Sequence, residues 1–192
     1  MPVPRGTPID TERTRSAMLK AAAALFYERG LSGVGVAELC AAVGGSKETL
    51  YRHFGSKDGL VDAVLQRRIE RNTRMLRRAV DDAGPQPAAQ LTALFRELAG
   101  WYAQPGFRGC AIVNAATQQH DGPARAVMAT RAHDYLELCT QIARGAGVAD
   151  PPRVGRQLLT LLEGSIVLAD HHRSPTAAED ALDAALVLLG RV

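Results

Sequence analysis

The densest chemistry in the chain lies between residues 46 and 57, where Ser46, Lys47, Thr49, Tyr51, His53, Ser56 and Lys57 fall close together. Hydroxyls, a phenol, an imidazole and ammonium groups are the donors that meet phosphate oxygens and base edges. Leu50 and Phe54 are four apart, so on a helix they share one face and leave the polar set outside. A short helix of this kind suits the major groove of a duplex, with its N-terminal end towards the bases. Ser56 and Lys57, at the start of the next helix, offer backbone N–H groups and a charge to a phosphate.

Little else in the sequence is reactive. Cys40, Cys110 and Cys139 are far apart and odd in number, with no C-x-x-C. That argues against a disulfide framework or a zinc site and suits a reducing cytosol, so a cytoplasmic protein is expected. His171 and His172 are adjacent, which on a helix sets them about 100° apart, a poor metal pair. A helix end, where His suits the dipole, fits them better. Paired carboxylates, a nucleophile elbow, a phosphate loop and a metal-spaced His/Cys cluster are all missing, so no enzyme, cofactor or metal is expected. No apolar run approaches the ~20 residues of a membrane span. The first ten residues, MPVPRGTPID, lack the apolar core of a signal peptide and read as a loose, basic arm.

The elements that must position this chemistry are helical. The 192 residues are rich in Ala and Leu and only 5% aromatic, and they show neither strand-like alternation nor an internal repeat. Asp10-Thr11 caps a first helix that runs to about Arg29, with Met18, Ala22, Leu25 and Phe26 inward and Gly30 ending it. Val36, Leu39, Cys40 and Val43 mark a short second helix, broken by Gly44-Gly45. Ser46 caps the third and Ser56 the fourth, which extends to about Asp82. Two short helices joined by a tight glycine turn form a helix-turn-helix. Residues 1–82 hold 14 Lys and Arg against 10 Asp and Glu, whereas residues 83–192 hold 9 against 10. The basic half is the candidate nucleic-acid face. Arg67, Arg71, Arg74 and Arg78 form a stripe on the fourth helix, with Arg68 and Arg77 beside it, and read as a solvated face.

The ordered set Ser46-Lys47-x-Thr49-Leu50-Tyr51-x-His53-Phe54-x-Ser56-Lys57-x-x-Leu60 resembles the DNA-binding signature of tetracycline-repressor-like (TetR) bacterial transcription regulators. The resemblance is strong over roughly residues 10–60 and looser beyond. It implies that Thr49 and Tyr51 contact DNA backbone or bases and that Lys57 meets a phosphate. With Ser46, Lys47 and His53 these make the expected DNA-binding set. Gly45 departs from the family's usual apolar residue, commonly Val, and predicts a less tightly packed turn. Gly35 stands where a Ser or Thr usually caps the second helix, and Gly is a tolerable cap. An all-α protein follows, with a DNA-binding domain over 1–60 and a ligand-binding and dimerisation domain over 61–192.

Past Pro87, Leu91, Leu94, Phe95 and Leu98 mark a helix ending near Trp101-Tyr102. Phe107, Cys110, Asn114 and Thr117 recur at i, i+3, i+7 and i+10, one stripe with an apolar end and a polar middle. Such a lining fits a ligand site, and Trp101 and Glu163 are expected to join it. In regulators of the resembled kind these middle helices enclose an effector. Gly122-Pro123 starts a helix on which Val127, Tyr135, Leu138 and Ile142 recur. The last two helices are apolar nearly all round, which predicts a dimer built on Leu158, Leu162, Ile166, Leu182, Leu186 and Leu189. The expected function is a ligand-responsive homodimeric repressor, released from a pseudo-palindromic double-stranded DNA operator by a small apolar effector. Two alternatives are a regulator that senses oxidants through Cys110 and a helical adaptor that binds protein.

Overall fold

A computed structural model describes residues 11–119 and 121–190. Asp10, the N-terminal arm and His120 lie outside the described residues. Among those described, nine helices and no strands form the chain, an all-α protein. They are α1 (Thr11–Arg29), α2 (Val36–Val43), α3 (Lys47–Phe54), α4 (Lys57–Asp82), α5 (Pro87–Tyr102), α6 (Ala111–Gln118), α7 (Pro123–Gly145), α8 (Pro151–His171) and α9 (Ala177–Leu189). The described residues divide into two compact units, one of residues 11–67 with 114–119 and 121–127, the other of residues 68–113 with 128–190.

In the first unit the local signals act as the residue types require. Gly44 ends α2 in the left-handed region at φ 62°, and the Gly45 N–H reaches back to the Cys40 carbonyl at 3.0 Å. This is the reverse turn that a residue without Cβ allows. Ser46 Oγ accepts from the Thr49 N–H at 3.1 Å, and Ser56 Oγ from the Gly59 N–H at 2.9 Å, capping α3 and α4. Met18, Leu19, Ala22, Leu39, Leu50 and Leu60 are buried together in this unit. Arg29 of α1 is paired with Glu38 of α2.

The turn before α3 is not loose, contrary to the expectation from Gly45. A Cβ built there would lie 3.1 Å from Met18 Cε and 3.3 Å from Val43 Cγ2. Met18 already fills the volume that a valine side chain would take, so the packing is redistributed.

The second unit is a helical bundle in which α8 packs on α9, and both pack on α5. Leu91, Leu94, Phe95, Leu98, Leu158, Leu162, Ile166, Ala181 and Ala185 form its centre. Thr73 and Arg77 of α4 reach Asp134 and Glu137 of α7, each at 3.4 Å. Arg67, Arg71, Arg74 and Arg78 are exposed, in keeping with a solvated stripe. His171 is the last residue of α8 and His172 its C-cap.

Candidate functional site

Helix α3 is eight residues long, and Leu50, 1% exposed, is its one buried residue. An isolated helix this short does not hold in water. Its pose is set by the Ser46 cap, by Leu50 in the core and by the α2–α3 turn. Arg15 of α1 lies over the Phe54 ring, 5.3 Å from its centroid. Outward, Ser46 and Lys47 are exposed, Tyr51 is 39% exposed, and Thr49 and His53 are half-buried. The Lys47 ammonium sits over the Tyr51 ring at 5.5 Å, so cation and phenol stand together on one face. Ser46 Oγ is engaged as the cap and lies 2.9 Å from Thr49 Oγ1. Lys57 donates to the Leu31 carbonyl at 2.7 Å, which fixes its ammonium against the α1–α2 loop. The same loop receives the far end of α6, because the Leu31 N–H donates to Gln118 Oε1 at 2.8 Å.

The expected ligand stripe is not one helical face. Gly106 and Gly109 take positive φ, 79° and 69°, and α6 begins only at Ala111. Phe107 and Cys110 therefore precede the helix, and Asn114 and Thr117 lie on it. Thr117 is exposed and donates to the Asn114 carbonyl of its own helix. Asn114 and Thr117 group with the first unit, and Trp101, Phe107, Cys110 and Glu163 with the second.

Within the second unit, Trp101, Tyr102 and Phe107 make an aromatic cluster with centroids 5.0 to 5.7 Å apart. Beside Tyr102 and Phe107 a cleft of about 480 Å³ opens, lined also by Ala99, Ala169 and Arg173. Ser165 gives its proton to the Leu162 carbonyl at 2.8 Å, so the Tyr102 hydroxyl, 2.7 Å away, donates to Ser165. The most unusual residue of the unit is Arg131 of α7. It is 1% exposed, paired with Glu163 at 2.5 Å, and set over the Tyr135 ring at 4.5 Å. Its Nε has no hydrogen-bond partner. Cys110, 4% exposed, lies within electrostatic reach of the guanidinium. Burial opposes the Arg131 charge, but Cys110 and Glu163 more than offset that, and the net shift of its pKa is upward.

The sequence reading missed Arg131. The signal was present: Val127, Tyr135, Leu138 and Ile142 leave a gap that Arg131 fills, four residues from each of the first two. A buried arginine in an apolar stripe is not read as a core position, because a lone charge is costly there unless paired. Its partner Glu163 lies 32 residues away.

Burial raises the phenol of Tyr102, pushes that of Tyr135 up from 10.0 to about 12, and, with Glu163 adding to it, pushes the Cys139 thiol up from 9.0 to about 12. The unfolded chain ionises these groups first. Their stabilisation is full below pH 9 and is lost as pH rises towards 12. The melting temperature is expected to fall from pH 9 upward. Cys139→Ala should be less stable than the parent at pH 8, and the gap should narrow by pH 11 in thermal melts. A constant gap would show that the thiol does not ionise on unfolding.

The expected interface leucines divide. Leu158, Leu162 and Ile166 are 1, 1 and 5% exposed, enclosed by their own protomer, and are corrected as interface contacts. Helix α8 needs that face for α9 and α5. Leu182, Leu186 and Leu189 are half-exposed. The apolar side chains that stand clear are Val167, Leu168 and Val187, 49, 43 and 52% exposed.

Comparison with known proteins matches one segment of the chain to a family and the whole chain to solved structures. Residues 18–64 match the model described as bacterial regulatory proteins, tetR family. A 76-residue stretch is 37% identical to the HTH-type transcriptional activator FasR of Mycolicibacterium smegmatis, covering 40% of this chain and 35% of that protein. Over 127 residues the chain is 32% identical to the HTH-type transcriptional repressor BdcR of Escherichia coli, covering 62% of this chain and 63% of BdcR. Each match thus spans less than two thirds of the relative's length. A crystal structure of a TetR-family transcriptional regulator from Streptomyces coelicolor superposes with a TM-score of 0.82 at 28% identity, covering 94% of this chain and 96% of the other. With the capped helix-turn-helix of α2 and α3, these likenesses identify the chain as a TetR-like transcriptional regulator.

Proposed function

We propose that the chain is a homodimeric repressor whose hold on a pseudo-palindromic operator is released by a small effector with a largely apolar body. The observation that carries the DNA role is α3, anchored by Leu50 with Lys47 and Tyr51 together on its outer face. Two such helices about 34 Å apart meet successive major grooves. Thr49, Tyr51 and Lys47 take the backbone and bases, His53 is within their reach, and Ser46 and Lys57 position the helix more than they touch DNA. The exposed apolar faces of α8 and α9 supply the dimer contact. Helix α6 contributes residues to both units, so its shift is the means by which an effector changes the head spacing. Coupling is limited to the effector's differential affinity for the two spacings.

The test is binding to the DNA flanking the protein's own gene, titrated with salt. Log affinity should fall with log salt at about −0.9 per phosphate neutralised. Tyr51→Ala should weaken binding about tenfold across sequences, with stability unchanged. Unchanged affinity in that variant would remove Tyr51 from the interface. Affinity no greater than for random DNA, both here and in a selection from genomic fragments, would favour the helical adaptor.

A second reading rests on Cys110, a buried thiol within reach of the Arg131 guanidinium. If oxidant releases the DNA and Cys110→Ser abolishes that response, the thiol is the switch.

A further inference from the structure

We infer that the effector is a small organic carboxylate, held by Arg131 in the place that Glu163 occupies in the free protein. The inference rests on the effector response proposed above and names its ligand class. Arg131 is buried almost completely in a helical bundle, yet its Nε is left without a hydrogen-bond partner. A guanidinium has five donors in a rigid fork that matches a carboxylate through two parallel bonds. Glu163 engages it through one oxygen, to one terminal nitrogen, and Tyr135 shares a hydrogen bond with it, which still leaves Nε unused. A fork so incompletely used, in a place where unmade bonds are costly, is built for more than this partner.

Glu163 is suited to leave. Its side chain is 31% exposed against 1% for Arg131, so the acid stands at the solvent side of the pair and the cation behind it. The next residue is Gly164, around which a Cβ would meet no atom within 4 Å. Glu163 therefore acts as a resident surrogate, neutralising the arginine until a carboxylate arrives from outside. Charge selects the class at the arginine: one buried cation released from one carboxylate is neutralised by one monoanion, whereas a phosphate dianion would bring a second charge into the buried part of the site. The body of the ligand takes the Tyr102 side: Tyr102 lies within electrostatic reach of Arg131 and Glu163, and it lines, with Phe107, Arg108 and Arg173, a cleft of about 480 Å³. That lies within the range of small-molecule sites.

Trp101 is the chain's only tryptophan and lies 5.7 Å from the Tyr102 ring, so its fluorescence reports on this site. The full chain, without DNA, is titrated with benzoate and hexanoate, and with benzamide and inorganic phosphate as controls. Glu163→Gln keeps an acceptor but removes the competing charge. It should saturate with one of the carboxylates at a concentration at least about tenfold lower than the parent, and the carboxylate should raise its melting temperature. A parent that does not reach saturation counts with this outcome. Arg131→Met should not respond. If that variant does not fold, Arg131→Lys, which keeps charge but loses the fork, should bind at least about tenfold more weakly. A purely structural ion pair predicts no gain of affinity in Glu163→Gln. The inference is overturned if Glu163→Gln needs as much carboxylate as the parent or responds to none. It is equally overturned if benzamide or phosphate does as well as the carboxylates, or if Arg131→Met still binds. Because no DNA is present, failure here leaves the regulator reading standing, and failure to bind an operator leaves this site standing.

Discussion

Leu168→Glu combined with Val187→Glu is expected to convert the proposed dimer to monomers and to weaken operator binding by at least about 100-fold. Leu168 and Val187 are 43 and 52% exposed on α8 and α9, among the few large apolar side chains left uncovered in a single chain. In the proposed dimer these outward apolar side chains of α8 and α9 meet the second copy. A carboxylate pushed into that contact must be desolvated. The DNA effect follows from linkage, because a monomer grips one half-site and loses the effective concentration of the second head. Sedimentation velocity and a DNA titration measure the two effects. A contrasting variant, Leu158→Ala, removes a side chain buried in its own protomer. It should cost about 2–5 kcal/mol of stability while the folded protein stays dimeric. Persistence of the dimer in the double glutamate variant would place the interface elsewhere.

Leu50→Ala should have the second large effect, on the recognition helix. Leu50 is 1% exposed and alone anchors α3 in the core. Truncating a buried leucine costs about 2–5 kcal/mol. The loss here falls on an eight-residue helix that cannot stand without its anchor. Chemical denaturation should show the destabilisation, and hydrogen exchange should place the earliest loss of protection in α3. DNA affinity should fall with it, although Leu50 faces inward. If α3 keeps its protection in the variant, the Ser46 cap and the turn hold the helix without Leu50, and the anchoring argument fails.

Much of the DNA-binding unit is legible in the chain because its determinants are local. Ser46 and Ser56 cap the helices that follow them, Gly44 takes the left-handed turn, and the apolar spacing of Val36, Leu39, Cys40 and Val43 repeats within two turns. Each signal acts within four residues of its effect, so reading along the chain recovers it. The helices of the second unit are legible for the same reason, from Pro and Gly boundaries and apolar periodicity.

What tertiary structure decided is which partners distant residues find. Gly45 reads as a gap until Met18, 27 positions earlier, is seen to fill it. Leu158, Leu162 and Ile166 read as interface, because apolar periodicity says that a face is covered but not by which chain. The ligand stripe through Phe107 and Asn114 dissolved where two glycines took positive φ, a conformation that glycine permits but does not compel. Arg131 depends wholly on the fold. Alone it reads as a solvated cation, and only the crossing of α7 and α8 brings Glu163 to it and leaves the rest of its fork inside. Local sequence set the helices and their caps, whereas long-range packing determined which charge is buried and which apolar face stays open.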